Sequence, residues 1–137
     1  MLTKIDHIGI AVRSIDEKIP LYRDVLGLEF LGDELVESQG VRVAFFKLGE
    51  SMLELLEPTR DDSPIAKYLE KNGEGIHHLA VGTDDITAAR DRALSNGLRL
   101  LSDAPLDGAH GKLISFVHPK DTGGLLLEFT QRGAPKA

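Results

Sequence analysis

Apolar residues fall in short runs, alternating with polar ones or packed together, and glycines punctuate them along the whole chain. The pattern predicts a strand over residues 4–12 (KIDHIGIAV). RSIDEKIPLYRDVLG, residues 13–27, reads as a helix stopped by Gly27 as its C′ glycine. Ser14, with Glu17 three residues on, suits a capping box. Pro20 lies too deep for a first-turn proline under that cap, so the helix either starts later or bends there. Strands follow over 28–37, 41–48 and 51–57, with Gly40 and Gly49-Glu50 at the turns. After Pro58 the run DDSPIAKYLEKNG reads as a short connecting helix with Ser63 as cap, Pro64 as first residue and Gly73 as stop. A strand at 75–83, a helix from about Asp85 to Asn96, and strands near 98–102, 112–118 and 124–130 complete the chain. The tail RGAPKA is expected to be loose.

That order of elements occurs twice, and the residues agree with it. IDHIGIAV at 5–12 overlays IHHLAVGT at 76–83, which puts His7 on His78 at an offset of 71. MLELL at 52–56 overlays LLEFT at 126–130 and puts Glu54 on Glu128 at an offset of 74. Between them GLEFL (27–31) matches GLRLL (97–101), and Phe46 lies close to the position of Phe116. The period is too long for a solenoid unit, which runs to about 20–50 residues. The expected architecture is α+β, two βαβββ modules making one curved-sheet domain over 1–137. Module one covers about 4–57, the connecting helix about 64–72 and module two about 75–130.

Composition narrows the partners. With 137 residues and 42% hydrophobic content the chain can bury one real core. Its net charge is −6 and its 16 Lys and Arg are scattered, which argues against nucleic acid, since a phosphate backbone calls for a clustered cationic face. No apolar stretch approaches the ~20 residues of a membrane span, and MLTKIDH has no signal-peptide character. Without cysteine there is no disulfide scaffold, thiolate metal site or Cys nucleophile. A soluble, cytoplasmic protein is the expectation.

The repeat also carries the chemistry. Each half sets one His on an early strand and one Glu on a late one, both among apolar residues. Two His and two carboxylates suit a divalent metal that keeps open positions. Strand periodicity puts His7 on the face of Ile5, Gly9 and Ala11, and Glu54 on that of Met52 and Leu56. A lone strand His is as readily a hydrogen-bonded core residue, and a lone Glu a solvated one; four coincident positions reverse those odds. His77 and His78 point to opposite faces, and the repeat selects His78 as ligand and leaves His77 on the outer face. Glu57 reads as a strand end, and His110 and His118 as loop residues near a substrate.

With these features the chain resembles the vicinal oxygen chelate superfamily. Within it, DSPIAKYLEKNGEGIHHLAV (62–81) and AHGKLISFVHPKDTGGLLLE (109–128) resemble the methylmalonyl-CoA epimerases. The resemblance implies that His7, His78 and Glu128 are metal ligands, with Glu54 at a position where some relatives have Gln. It implies interconversion of (R)- and (S)-methylmalonyl-CoA by α-proton abstraction and return through an enolate, with Glu128 and Glu54 as catalytic residues. Some epimerases have an acidic residue at the position of Val43, which cannot move a proton, so Glu54, another residue or a water must supply the second base. The implied cofactor is a divalent cation, cobalt foremost, with manganese, nickel, zinc or iron as alternatives. The implied partners are an acyl-CoA substrate and a second copy of the chain in a homodimer. Backbone N–H groups of DGAHGK (107–112) are candidates to meet the substrate carboxylate. The competing readings are a glyoxalase I-like lyase and a non-enzymatic ligand-sequestering protein.

Overall fold

The computed structural model describes residues 1–133. It divides into two compact units, His7–His77, and Met1–Asp6 together with the chain from His78 onward. No helix among the described residues is long and apolar enough to cross a membrane.

The strands β1 (Leu2–Ala11), β2 (Glu29–Val36), β3 (Val41–Leu48) and β4 (Ser51–Pro58) lie in the order β2-β3-β4-β1, β1 belonging to the His7–His77 unit from His7 on. β3 runs antiparallel to both β2 and β4, while β1 is parallel to β4. Gly40 and Gly49 take φ of 62° at the two turns, where a Cβ would be strained. Helix α1 (Ile15–Ile19) starts at Ser14, whose hydroxyl accepts the Glu17 N–H at 3.2 Å. At Pro20 the helix type changes. The chain continues as a π-helical turn, Pro20–Val25, closed by Leu26 N–H to Leu21 O at 2.9 Å. Proline has no N–H for the carbonyl four residues back and its ring crowds it, and the wider turn relieves both. Val12, Ile15, Ala44, Phe46 and Leu55 form the core under α1, with Tyr22 and Phe30 packed on it. Helix α2 (Pro64–Asn72) has the expected ends: the Ser63 hydroxyl accepts the Ile65 N–H at 3.1 Å, and Gly73 turns the chain away at φ 76°.

The second unit repeats the plan. β5 (Gly75–Thr83), β6 (Leu106–Asp107), β7 (Leu113–Val117) and β8 (Leu127–Gln131) lie in the order β5-β8-β7-β6. β5 is parallel to β8, and β7 antiparallel to both β8 and β6. Helix α3 (Ile86–Ser95) is capped by Asp85, whose carboxylate accepts the Ala88 N–H at 3.0 Å. Ile86, Ala93, Val117 and Phe129 make its core. Both units are thus βαβββ modules of the α+β class.

Three expectations change here. Residues 98–102 do not form a strand; Leu100 makes a single antiparallel bridge to Val117, and the short β6 lies farther on. The last strand starts at Leu127 rather than 124, because Gly123 and Gly124 take φ of 73° and 99° and turn the chain first. The loose tail expected from Arg132 lies outside the described residues from Ala134 on, and Arg132 itself is held, its guanidinium donating to both Asp6 carboxylate oxygens at 2.7 and 2.9 Å.

Candidate active site

Parallel pairing of β1 and β4 sets Gly9 opposite Glu54 and His7 opposite Met52. His7 and Glu54 therefore share one sheet face, one step apart on the diagonal. Glycine at the facing position leaves the carboxylate room to lean toward the imidazole, and Oε2 of Glu54 lies 3.3 Å from Nδ1 of His7. Both residues are buried. On β3 the fully buried Phe45 lies directly opposite Glu54 and walls the pair off.

The second unit repeats this construction. β5 sets Ala80, again a small residue, opposite Glu128 on β8. His78 is two residues before Ala80, and its Nε2 lies 3.5 Å from Oε1 of Glu128, both side chains buried. Phe116 on β7 lies opposite Glu128 and presents its ring edge-on to His78 at 5.7 Å. The internal match of Phe46 with Phe116 is therefore off by one. Phe45 holds the corresponding place, while Phe46 belongs to the core under α1. The run VAFF is apolar on both faces, so alternation did not show which Phe faces the carboxylate.

The donor set fits a divalent metal. Burying a carboxylate among apolar residues is costly unless it meets a cation or hydrogen-bond donors. Neutral imidazole and carboxylate together suit borderline cations such as cobalt, nickel, zinc and iron(II). Each unit contributes one such buried pair.

Other sequence candidates sort differently. His77 packs edge-on against Tyr68 at 5.1 Å, and burial pushes its imidazole down to about 4. His118 is structural, its Nδ1 accepting the Lys120 N–H at 3.1 Å where a short 3₁₀ turn begins. His110 holds φ 57°, a left-handed conformation that no other non-glycine shares among the described residues. In the 107–112 loop, Gly108 N–H donates to Lys112 O and Lys112 N–H to Ala109 O, so those two N–H groups are already used within the loop. Val43 is buried on β3 opposite Leu56, two residues from Phe45 on the same face, and offers no proton acceptor. Glu57 is more than a strand end: its carboxylate accepts the Ile15 N–H at 2.7 Å. That bond crosses 42 residues and leaves no local signal in the sequence.

The family model of the Glyoxalase/Bleomycin resistance protein/Dioxygenase superfamily matches residues 6–116. The chain belongs to that superfamily. It is 43% identical over 133 residues to the ethylmalonyl-CoA/methylmalonyl-CoA epimerase of Cereibacter sphaeroides, covering 96% of this chain and 99% of that one. Against the mitochondrial methylmalonyl-CoA epimerase of Mus musculus the identity is 40% over 131 residues, covering 95% of this chain and 74% of that protein. A solved structure of Streptomyces coelicolor methylmalonyl-CoA epimerase, in complex with 2-nitronate-propionyl-CoA, superposes with a TM-score of 0.94 at 46% identity, covering 98% and 100% of the two chains. The fold is that of these enzymes, and the resemblance carried by residues 62–81 and 109–128 holds over nearly the whole chain.

Proposed function

We propose that the chain is a methylmalonyl-CoA epimerase, an isomerase that interconverts the (R) and (S) forms of its acyl-CoA substrate. The observation that carries this reading is the duplicated buried His–Glu pair in a chain 43% and 46% identical, over nearly its full length, to two such epimerases. On this reading residues 1–137 work as one domain, and His7, Glu54, His78 and Glu128 together hold one divalent cation, cobalt foremost. The bound cation supplies Lewis-acid stabilisation of negative charge developing on the substrate oxygens.

The rest of the reaction falls to side chains. The α-carbon of a 2-methylmalonyl thioester is a weak carbon acid, and inversion requires a proton to leave one face and return to the other. Glu128 takes the proton as general base. Glu54, from the other half, serves the opposite face, since Val43 offers no acceptor. Phe45 and Phe116, packed opposite these carboxylates, keep water from them and strengthen each electrostatic contact. The reading assigns the enzyme to the cytoplasm and to a homodimer.

The deciding assay is single-enantiomer methylmalonyl-CoA with metal-loaded protein in deuterated water. Racemisation with deuterium gained at the α-carbon is expected. A metal-loaded protein that leaves the enantiomer intact sinks the reading. Turnover of a glutathione hemithioacetal in its place favours the lyase alternative, and binding without any turnover favours ligand sequestration.

A further inference from the structure

Arg132 stands one residue past β8 and four past Glu128, at the start of a segment whose composition predicts a loose tail. Its side chain is instead tied to the other end of the chain. Nε donates to Oδ2 of Asp6 at 2.7 Å and Nη2 to Oδ1 at 2.9 Å, across 126 residues. Two parallel charge-assisted bonds fix direction as well as distance, because the guanidinium is a planar fork that matches both carboxylate oxygens.

The burial of the two partners is unequal. The Asp6 side chain is 2% exposed and that of Arg132 39%. A carboxylate so fully withdrawn from water is costly unless donors receive it. The guanidinium keeps one edge in solvent and loses little hydration. The pair therefore matters more to Asp6 than to Arg132. Without the guanidinium the carboxylate must move toward water or draw water in, and either way its backbone shifts.

Asp6 is the residue before His7 in β1. The pairing of β1 with β4 starts at His7, opposite Met52. That ladder holds His7 and the residues after it, while Arg132 holds the residue before it. A shift of Asp6 reaches His7 through one planar peptide unit, with few soft dihedrals to absorb it. Metal ligands are sensitive to such support, and partners that orient them are worth about 10–100-fold in metal affinity. We propose that Arg132 is a positioning residue, which by holding Asp6 sets where the His7 imidazole stands. The inference rests on the reading of His7 as a metal ligand for its consequence, a tighter metal centre.

The test reads His7 twice, in metal-free and in cobalt-loaded protein, with circular dichroism to confirm folding. In the metal-free protein at fixed pH, the His7 imidazole NMR signals, assigned by their loss in His7→Ala, should shift in Arg132→Ala. They should return most of the way in the double variant Asp6→Asn/Arg132→Ala, which no longer buries the charge. In competition with a chelator, Arg132→Ala should bind cobalt(II) at least about tenfold more weakly. Arg132→Lys, which keeps the charge without the fork, should recover part of the loss. Gln131→Ala removes the neighbouring side chain's bond to the Ile86 N–H, and it should lose stability while leaving both readouts at wild-type values. Unmoved His7 signals and wild-type cobalt affinity in folded Arg132→Ala overturn the proposal. If Arg132→Ala does not fold, the same result in Arg132→Gln overturns it. Equal changes in Gln131→Ala and Arg132→Ala also overturn it, since general loosening is then the cause. His7 signals that move with Arg132 in a protein whose wild type binds no cobalt leave the positioning role standing and remove the metal reading.

Discussion

The carboxylate of Glu57, at the end of β4, accepts the backbone N–H of Ile15, the first residue of α1, at 2.7 Å. The side-chain oxygen of Gln131, at the end of β8, does the same for Ile86, the first residue of α3, at 2.8 Å. Ile15 and Ile86 stand 71 apart and Glu57 and Gln131 stand 74 apart, the same offsets that separate the two histidines and the two site glutamates. In each unit the strand that carries the site Glu also holds the start of the helix behind it, three residues further on.

These bonds satisfy N–H groups that a helix cannot bond itself. Glu57→Ala and Gln131→Ala should each lose about 1 kcal/mol of unfolding free energy, the usual scale for a lost cap. Glu57→Gln should lose much less, since an acceptor oxygen remains. Denaturant titration of the three variants reads this directly, and an Ala variant as stable as wild type would refute the role.

Metal analysis of purified protein should give one divalent ion per chain. His7→Ala and His78→Ala should each lower that content sharply while the circular dichroism stays native, because each removes a neutral imidazole donor. Stoichiometric metal in both variants would remove the assignment of these residues.

Isotope exchange separates the two carboxylates. Glu128→Gln should keep some metal yet lose racemisation and α-deuterium exchange together. Glu54→Gln should lose racemisation more than exchange from one enantiomer, because the opposite face can still be deprotonated. Unimpaired racemisation by Glu128→Gln would reject its part in proton transfer.

Acid titration probes the segment at 98–102. Side-chain hydrogen bonds from Arg99, then its backbone N–H, pull the Asp121 carboxyl from 3.8 down to about 2. A carboxyl with a depressed pKa in the folded chain adds stability that is present above its unfolded pKa and lost as pH falls through the folded value. The stability gap between wild type and Asp121→Asn should therefore be full at about pH 6 and shrink between about pH 4 and pH 2. A gap that stays constant over this range would show that the ion pair is not its source.

Sedimentation should show twice the mass of one chain, in line with the closed two-fold assemblies that dominate soluble oligomers. A single-chain mass alone at micromolar concentration would count against the homodimer.

Much of this was legible in the sequence where local chemistry decides the outcome. Ser63, Pro64 and Gly73 bound α2 because a cap, a missing N–H and a left-handed turn each have their own residue type. Duplication singled out His7 with Glu54 and His78 with Glu128, which the structure buries as two pairs. What escaped depends on distant partners. GLRLL has the alternation of a strand, yet Arg99 and Leu100 are held by Asp121 and by one bridge rather than by a ladder. LLLEF looks continuous from Leu125, but the two left-handed glycines before it are still turning the chain. Glu57 read as a mere strand end because its partner lies 42 residues away.

The bridge that replaces a strand at Leu100 has a consequence for engineering. Ser102 is tied down, its carbonyl accepting from Arg90 at 3.0 Å, and β6 starts only at Leu106. Asp103, Ala104 and Pro105 between them belong to no ladder. Loop closure grows costlier only slowly with length, by about 0.6 kcal/mol per doubling. An epitope or fluorophore tag spliced in at these three residues would lengthen the loop without touching the β7–β8 pairing that carries Glu128, making this the natural port for labelling the working enzyme.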